Sequence, residues 1–95
     1  MIFDNKVVII FGGEGLIGKA FKKHILKNGG KICSADIKKN RKTSKINELY
    51  LKTNISNPKS IKKVLTDTKK KFKKIDCVIN CSYPKINQSK NLNSI

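Results

Sequence analysis

Ninety-five residues bound the chain to one small domain with a modest core. No stretch approaches the roughly 18 apolar residues of a membrane span, the chain opens Met-Ile-Phe-Asp-Asn-Lys rather than as a signal peptide, and three cysteines without paired spacing are no disulfide scaffold; a cytoplasmic, reducing setting with no membrane partner is expected. The formal charge of +16, from 22 Lys+Arg against 6 Asp+Glu, invites nucleic acid, yet Arg41 is the only arginine and aromatics are limited to two tyrosines and four phenylalanines, so specific nucleic-acid recognition is not expected.

A first strand is expected over residues 6–12. Val7-Val8-Ile9-Ile10-Phe11 is an unbroken apolar run, four of its five members β-branched, as suits a strand buried on both faces of a parallel sheet. It breaks into Gly12-Gly13-Glu14-Gly15-Leu16-Ile17-Gly18. With Gly-x-x-Gly-x-x-Gly spacing, Gly12 takes the tight turn, Gly15 lets backbone approach a pyrophosphate, and Gly18 lets the following helix pack closely. The free N–H groups and positive dipole end of that helix would hold the anion.

The helix itself is expected from Leu16 to Asn28, with Ile17, Ala20, Phe21, His24 and Ile25 on its inner face and Lys19, Lys22, Lys23 and Lys27 in solvent. Gly29-Gly30 ends it. His24, the single histidine, is expected to be partly packed or solvated rather than catalytic.

Lys31–Asp36 reads as a second strand. Asp36 stands where a dinucleotide fold places the acid that accepts from the ribose hydroxyls and repels a 2′-phosphate, so NAD is favoured over NADP. Lys38, Lys39 and Arg41 follow and would help a 2′-phosphate bind, while the alternative role for Asp36 is a capping acid at a turn. Residues 38–46 read as a loop with one or two helical turns, and Glu48–Thr53 as a third strand left through Asn54-Ile55-Ser56. Asn57 caps a second helix that starts at Pro58, with Ile61, Val64, Leu65, Thr68 and Phe72 on one face and the lysines of residues 69–74 at its C-terminus. Ile75–Asn80 is a fourth strand, apolar enough to be central.

Right-handed crossovers turn this order into an α/β fold, the first half of a doubly wound parallel sheet with strand order 3-2-1-4. Gly12, Asp36, Asn54 and Asn80 then stand at strand ends on one edge, where such sheets bind ligands. Cys33, Cys77 and Cys81 lack metal-ligand spacing and read as buried free thiols.

These residues together resemble the N-terminal half of a short-chain dehydrogenase/reductase. The glycine loop Gly12–Gly18 and Asp36 carry the likeness. Thr53-Asn54-Ile55-Ser56 is similar to the family's Asp-Val/Ile-Ser/Thr turn at the adenine, with Asn54 in place of the acid. Val78-Ile79-Asn80-Cys81-Ser82-Tyr83 is similar to its Asn-Asn-Ala-Gly segment, departing after Asn80. Continued through Pro84-Lys85, the segment looks like a variant found in a branch linked to surface-sugar and flagellin-glycan biosynthesis.

The resemblance implies a site lined by Gly12, Gly13, Glu14, Gly15, Leu16, Ile17, Gly18, Asp36, Asn54, Ile55, Asn80, Cys81 and Ser82, with no metal. It also implies a catalytic Tyr-x-x-x-Lys pair with a preceding Ser. Tyr50 and Tyr83 both lack lysine at the fourth following place, so neither takes that role. The expectation is a partial Rossmann domain: an NAD(P)-binding half-domain over residues 1–85 and a polar tail over 86–95, inactive alone. The alternative is a nucleotide-binding module that completes its sheet with another copy or a complementary chain.

Overall fold

Val7, Val8, Ile9, Ile10 and Phe11 are all buried, and they form β1 (Val7–Phe11), the strand on which both faces of the molecule pack. In a computed structural model it is followed by α1 (Leu16–Lys27), β2 (Lys31–Asp36), β3 (Glu48–Lys52), α2 (Pro58–Phe72) and β4 (Cys77–Asn80). The structure describes residues 1–37 and 44–82. Lys38, Lys39, Arg41, Tyr83, Pro84, Lys85 and the 86–95 tail, with the expectations attached to them, lie outside the described residues.

All strand pairs are parallel, in the expected order β3-β2-β1-β4. Alternation along β1 feeds two cores. Ile9 and Phe11 join Cys33, Ala35 and Val64 on the side covered by α2. Val8 and Ile10 join Ile25 and Ile32 on the side covered by α1. Asp76 secures the start of β4, its carboxylate accepting from the Val7 N–H at 2.8 Å and its own N–H donating to the Val7 carbonyl at 2.9 Å. Those contacts, with the Lys74 ammonium at 3.0 Å, hold the Asp76 carboxyl below its ordinary range.

The second helix follows its sequence closely. The Asn57 side chain accepts from Lys59 N–H at 3.0 Å, Pro58 opens the helix, and Val64, Thr68 and Phe72 are buried. Leu65 of the expected face stays exposed.

The first helix corrects its sequence reading. Its buried residues are Gly18, Lys22 and Ile25, while Ile17 is 50% and Phe21 43% exposed. The reason is steric: a Cβ on Gly18 would lie 2.1 Å from the Gly12 carbonyl oxygen, so this residue must face the loop. Residues four and seven places on then turn inward with it. His24 is exposed, its ring edge-on to Phe3 with centroids 5.8 Å apart.

The thiols also differ from expectation. Cys33 is buried, but Cys77 is exposed and Cys81 half-buried. Among the described residues β4 is the sheet's edge, as the order 3-2-1-4 requires, and Val78 is 50% exposed, so one of its flanks is uncovered.

Candidate functional site

The C-terminal ends of the four strands share one edge of the sheet, and the segments leaving them meet there. Gly12 has φ +78°, a conformation that L side chains rarely adopt, and its N–H donates to the Ala35 carbonyl at 2.7 Å. A Cβ at Gly12 would lie 2.7–2.9 Å from the Cys81–Ser82 backbone, and one at Gly13 would lie 2.1 Å from Ser34 Oγ. Gly12, Gly13 and Gly18 are therefore each demanded by the fold.

Gly15 is different. The nearest atom to a Cβ there is the Gly12 carbonyl oxygen at 3.4 Å, an ordinary contact, and its φ of −79° suits any residue. Gly15 is the N-cap of α1, yet it supplies no side-chain cap. The first helical bond runs from Lys19 N–H to the Gly15 carbonyl at 2.9 Å, so the N–H groups of Leu16, Ile17 and Gly18 find no partner within the helix. With the positive dipole end and no acidic residue in the first turn, they form a place for an anion against bare backbone.

Asp36 ends β2 beside this loop, and its Oδ2 accepts from the Glu14 N–H at 3.0 Å. Its carbonyl accepts from Thr53 N–H at 2.7 Å, which brings the exit of β3 alongside. Asn54 closes a side-chain turn there, accepting from Ser56 N–H at 3.0 Å, while its own N–H donates to Ser60 Oγ at 3.0 Å. Asn80 does the same at β4, accepting from the N–H and hydroxyl of Ser82 at 3.0 and 2.7 Å. Cys81 N–H donates to the Phe11 carbonyl at 2.7 Å, tying that turn to the glycine loop.

The expected residues thus gather at one edge, but not all present their side chains. Ile55 packs against the Ile9 and Phe11 core, and Cys81 against the Val8 and Ile10 core. Leu16 is 90% exposed at the helix tip.

Sequence reasoning missed a polar cluster behind the loop. Glu14 Oε2 accepts from Lys22 Nζ at 2.9 Å and from Ser34 Oγ at 2.5 Å. The Lys22 ammonium sits 4.9 Å from the centroid of the Tyr50 ring, and the Tyr50 hydroxyl donates to Glu48. Burial, reinforced by the Glu48 carboxylate, pushes the Tyr50 hydroxyl above the ordinary tyrosine range. The missed signal was the four-residue interval from Gly18 to Lys22, which puts the lysine on the face that the glycine turns inward.

Residues 6–91 match the family model described as short chain dehydrogenase. The post-translational flagellin modification protein A of Campylobacter coli is 36% identical over 92 residues, covering 87% of this chain and 36% of that protein. A SCOR enzyme from Clostridium thermocellum superposes with a TM-score of 0.76 at 30% identity, over 90% of this chain and 37% of that one. A short-chain dehydrogenase from Leptospira borgpetersenii, solved with bound NAD+, superposes with a TM-score of 0.74 at 22% identity, over 95% and 39%. The chain therefore spans a little over a third of the length of each of these three proteins.

Proposed function

Because the chain belongs to the short-chain dehydrogenase family, we propose that it is the NAD-binding portion of an oxidoreductase whose parent reaction moves hydride between nicotinamide and a carbonyl or alcohol. The observation that carries this reading is Gly15, a glycine that no contact among the described residues requires, at the helix start whose first-turn N–H groups have no partner within the helix. A pyrophosphate explains both features.

In this reading Gly12 to Gly18 hold the pyrophosphate, and Asp36 accepts from the adenosine ribose and disfavours NADP. Asn54 and the Ile55 backbone border the adenine, while Asn80, Cys81 and Ser82 border the dinucleotide at the end of β4. Bound NAD supplies the hydride acceptor or donor, and the chain's own residues bind and orient it. No Tyr-x-x-x-Lys pair occurs in the sequence, so the 95-residue chain binds dinucleotide weakly and does not turn over. The likeness of Asn80 to Lys85 to the surface-sugar branch of the family, beside a relative named as a flagellin modification protein, favours a sugar as the parent substrate. Three free thiols suit a cytoplasmic setting.

Gly15→Thr tests the reading. Threonine caps a helix about as well as glycine, so stability should change by less than about 1 kcal/mol, while the added side chain blocks the pyrophosphate. Calorimetric titration with NAD should show binding by the parent chain and a loss of at least roughly tenfold in the variant, about 1.4 kcal/mol. Equal affinity in both would overturn the assignment.

A second reading rests on β4, whose outer edge has no strand partner among the described residues. There the chain is a nucleotide-binding module that completes its sheet with another copy or a complementary chain. Sedimentation at rising concentration tests it.

A further inference from the structure

Lys22 is a cation stored behind the dinucleotide loop. Its side chain is 8% exposed and that of its partner Glu14 11%. Glu14 binds in two directions at once: its carboxylate accepts from Lys22 at 2.9 Å and Ser34 at 2.5 Å, and its N–H donates to Asp36 Oδ2 at 3.0 Å. Ser34 and Asp36 are two places apart on β2 and share a face of the sheet. A buried positive charge therefore stands one side chain away from the acid assigned to the ribose.

We propose that Glu14 is a specificity-determining residue: by holding Lys22 in an ion pair on the face of the sheet that Asp36 shares, it keeps that cation from serving a ribose 2′-phosphate and so favours NAD over NADP. The inference rests on the dinucleotide reading above and extends discrimination beyond Asp36. A phosphate carries about −1.5 to −2 charge at neutral pH and would draw on any ammonium released from its carboxylate. One unit of charge acting over several ångströms in a partly buried site is worth on the order of tenfold in affinity.

Glu14→Gln keeps an acceptor for Lys22 and Ser34 while deleting the charge, and Lys22→Gln removes the cation. Dissociation constants for NAD and NADP are measured by calorimetric titration of the 95-residue chain and its variants at one ionic strength. The affinity for NADP relative to NAD should rise about tenfold in Glu14→Gln, fall in Lys22→Gln, and return to within about twofold of the parent in the double variant. Asp67→Asn removes an acid from α2, where it pairs with Lys63, and so makes the same change in net charge at a distance. Its ratio should stay within about twofold of the parent.

Ratios that do not move, or that move the same way in both single variants, overturn the inference. If the parent binds NAD and the ratios are unchanged, this inference alone fails; if the parent binds neither dinucleotide, the functional reading fails with it. Should Glu14→Gln not fold, the fall in Lys22→Gln, or its absence, decides the matter.

Discussion

Cys33 shows how much one side chain's surroundings matter. It is fully buried at the centre of β2, and that burial raises its thiol from near 9 to about 11; a hydrogen bond with Thr68 opposes the shift and the Asp67 charge adds to it. Because the raised value favours the neutral thiol in the folded state, the unfolded chain loses its proton first. Stability from this group is full below about pH 9 and declines as pH rises towards 11, by on the order of 2 to 3 kcal/mol in all. Urea unfolding at pH 8 and pH 10.5 should therefore show a steeper loss in the parent than in Cys33→Ala. Site-resolved alkylation at pH 8 should modify exposed Cys77 well before Cys33. Equal rates at the two thiols would contradict the burial. The sequence contained all three cysteines but not their exposures, since Cys77 differs from Cys33 only in lying on a strand with an uncovered flank.

At the scale of an element, α1 and α2 were not equally legible. In α2 the cap, the proline and the apolar positions agree, and most of the predicted face is the buried one. In α1 the inner face keeps Ile25 of the apolar stripe but not Ile17 or Phe21, because Gly18 sets the helix's roll by contact with the Gly12–Gly13 backbone. Periodicity reports which residues share a face; it does not say which face a steric contact turns inward. Ile25→Ala, at 2% exposure, should cost about 2–5 kcal/mol in urea unfolding. Ile17→Ala, at 50% exposure, should cost less than about 1 kcal/mol. Comparable losses at the two positions would restore the roll expected from the sequence.

For the whole molecule, the open flank of β4 and the charge of +16 act against each other. An unpaired strand edge favours pairing with a second strand, while two copies so strongly charged repel. Association through β4 should consequently increase with ionic strength, as salt shortens the range of repulsion to about 8 Å near 0.15 M. Sedimentation velocity at low and moderate salt reads this directly. A monomer at every salt and protein concentration would sink the sheet-completion reading and leave the dinucleotide reading intact.

The sequence by itself determined the order of strands and helices, the parallel sheet, and the convergence of Gly12, Asp36, Asn54 and Asn80 on one edge. Those follow from local pattern and from crossover handedness, which act through neighbouring residues and chain connectivity. Only the tertiary structure decided that Lys22 lies inside against Glu14 and Ser34, that Ile17 and Phe21 lie outside, and that Gly15 alone among the loop glycines has room beside it. These depend on distances between atoms of different elements, and a single carbonyl oxygen, that of Gly12, was enough to set the roll of the helix that carries them.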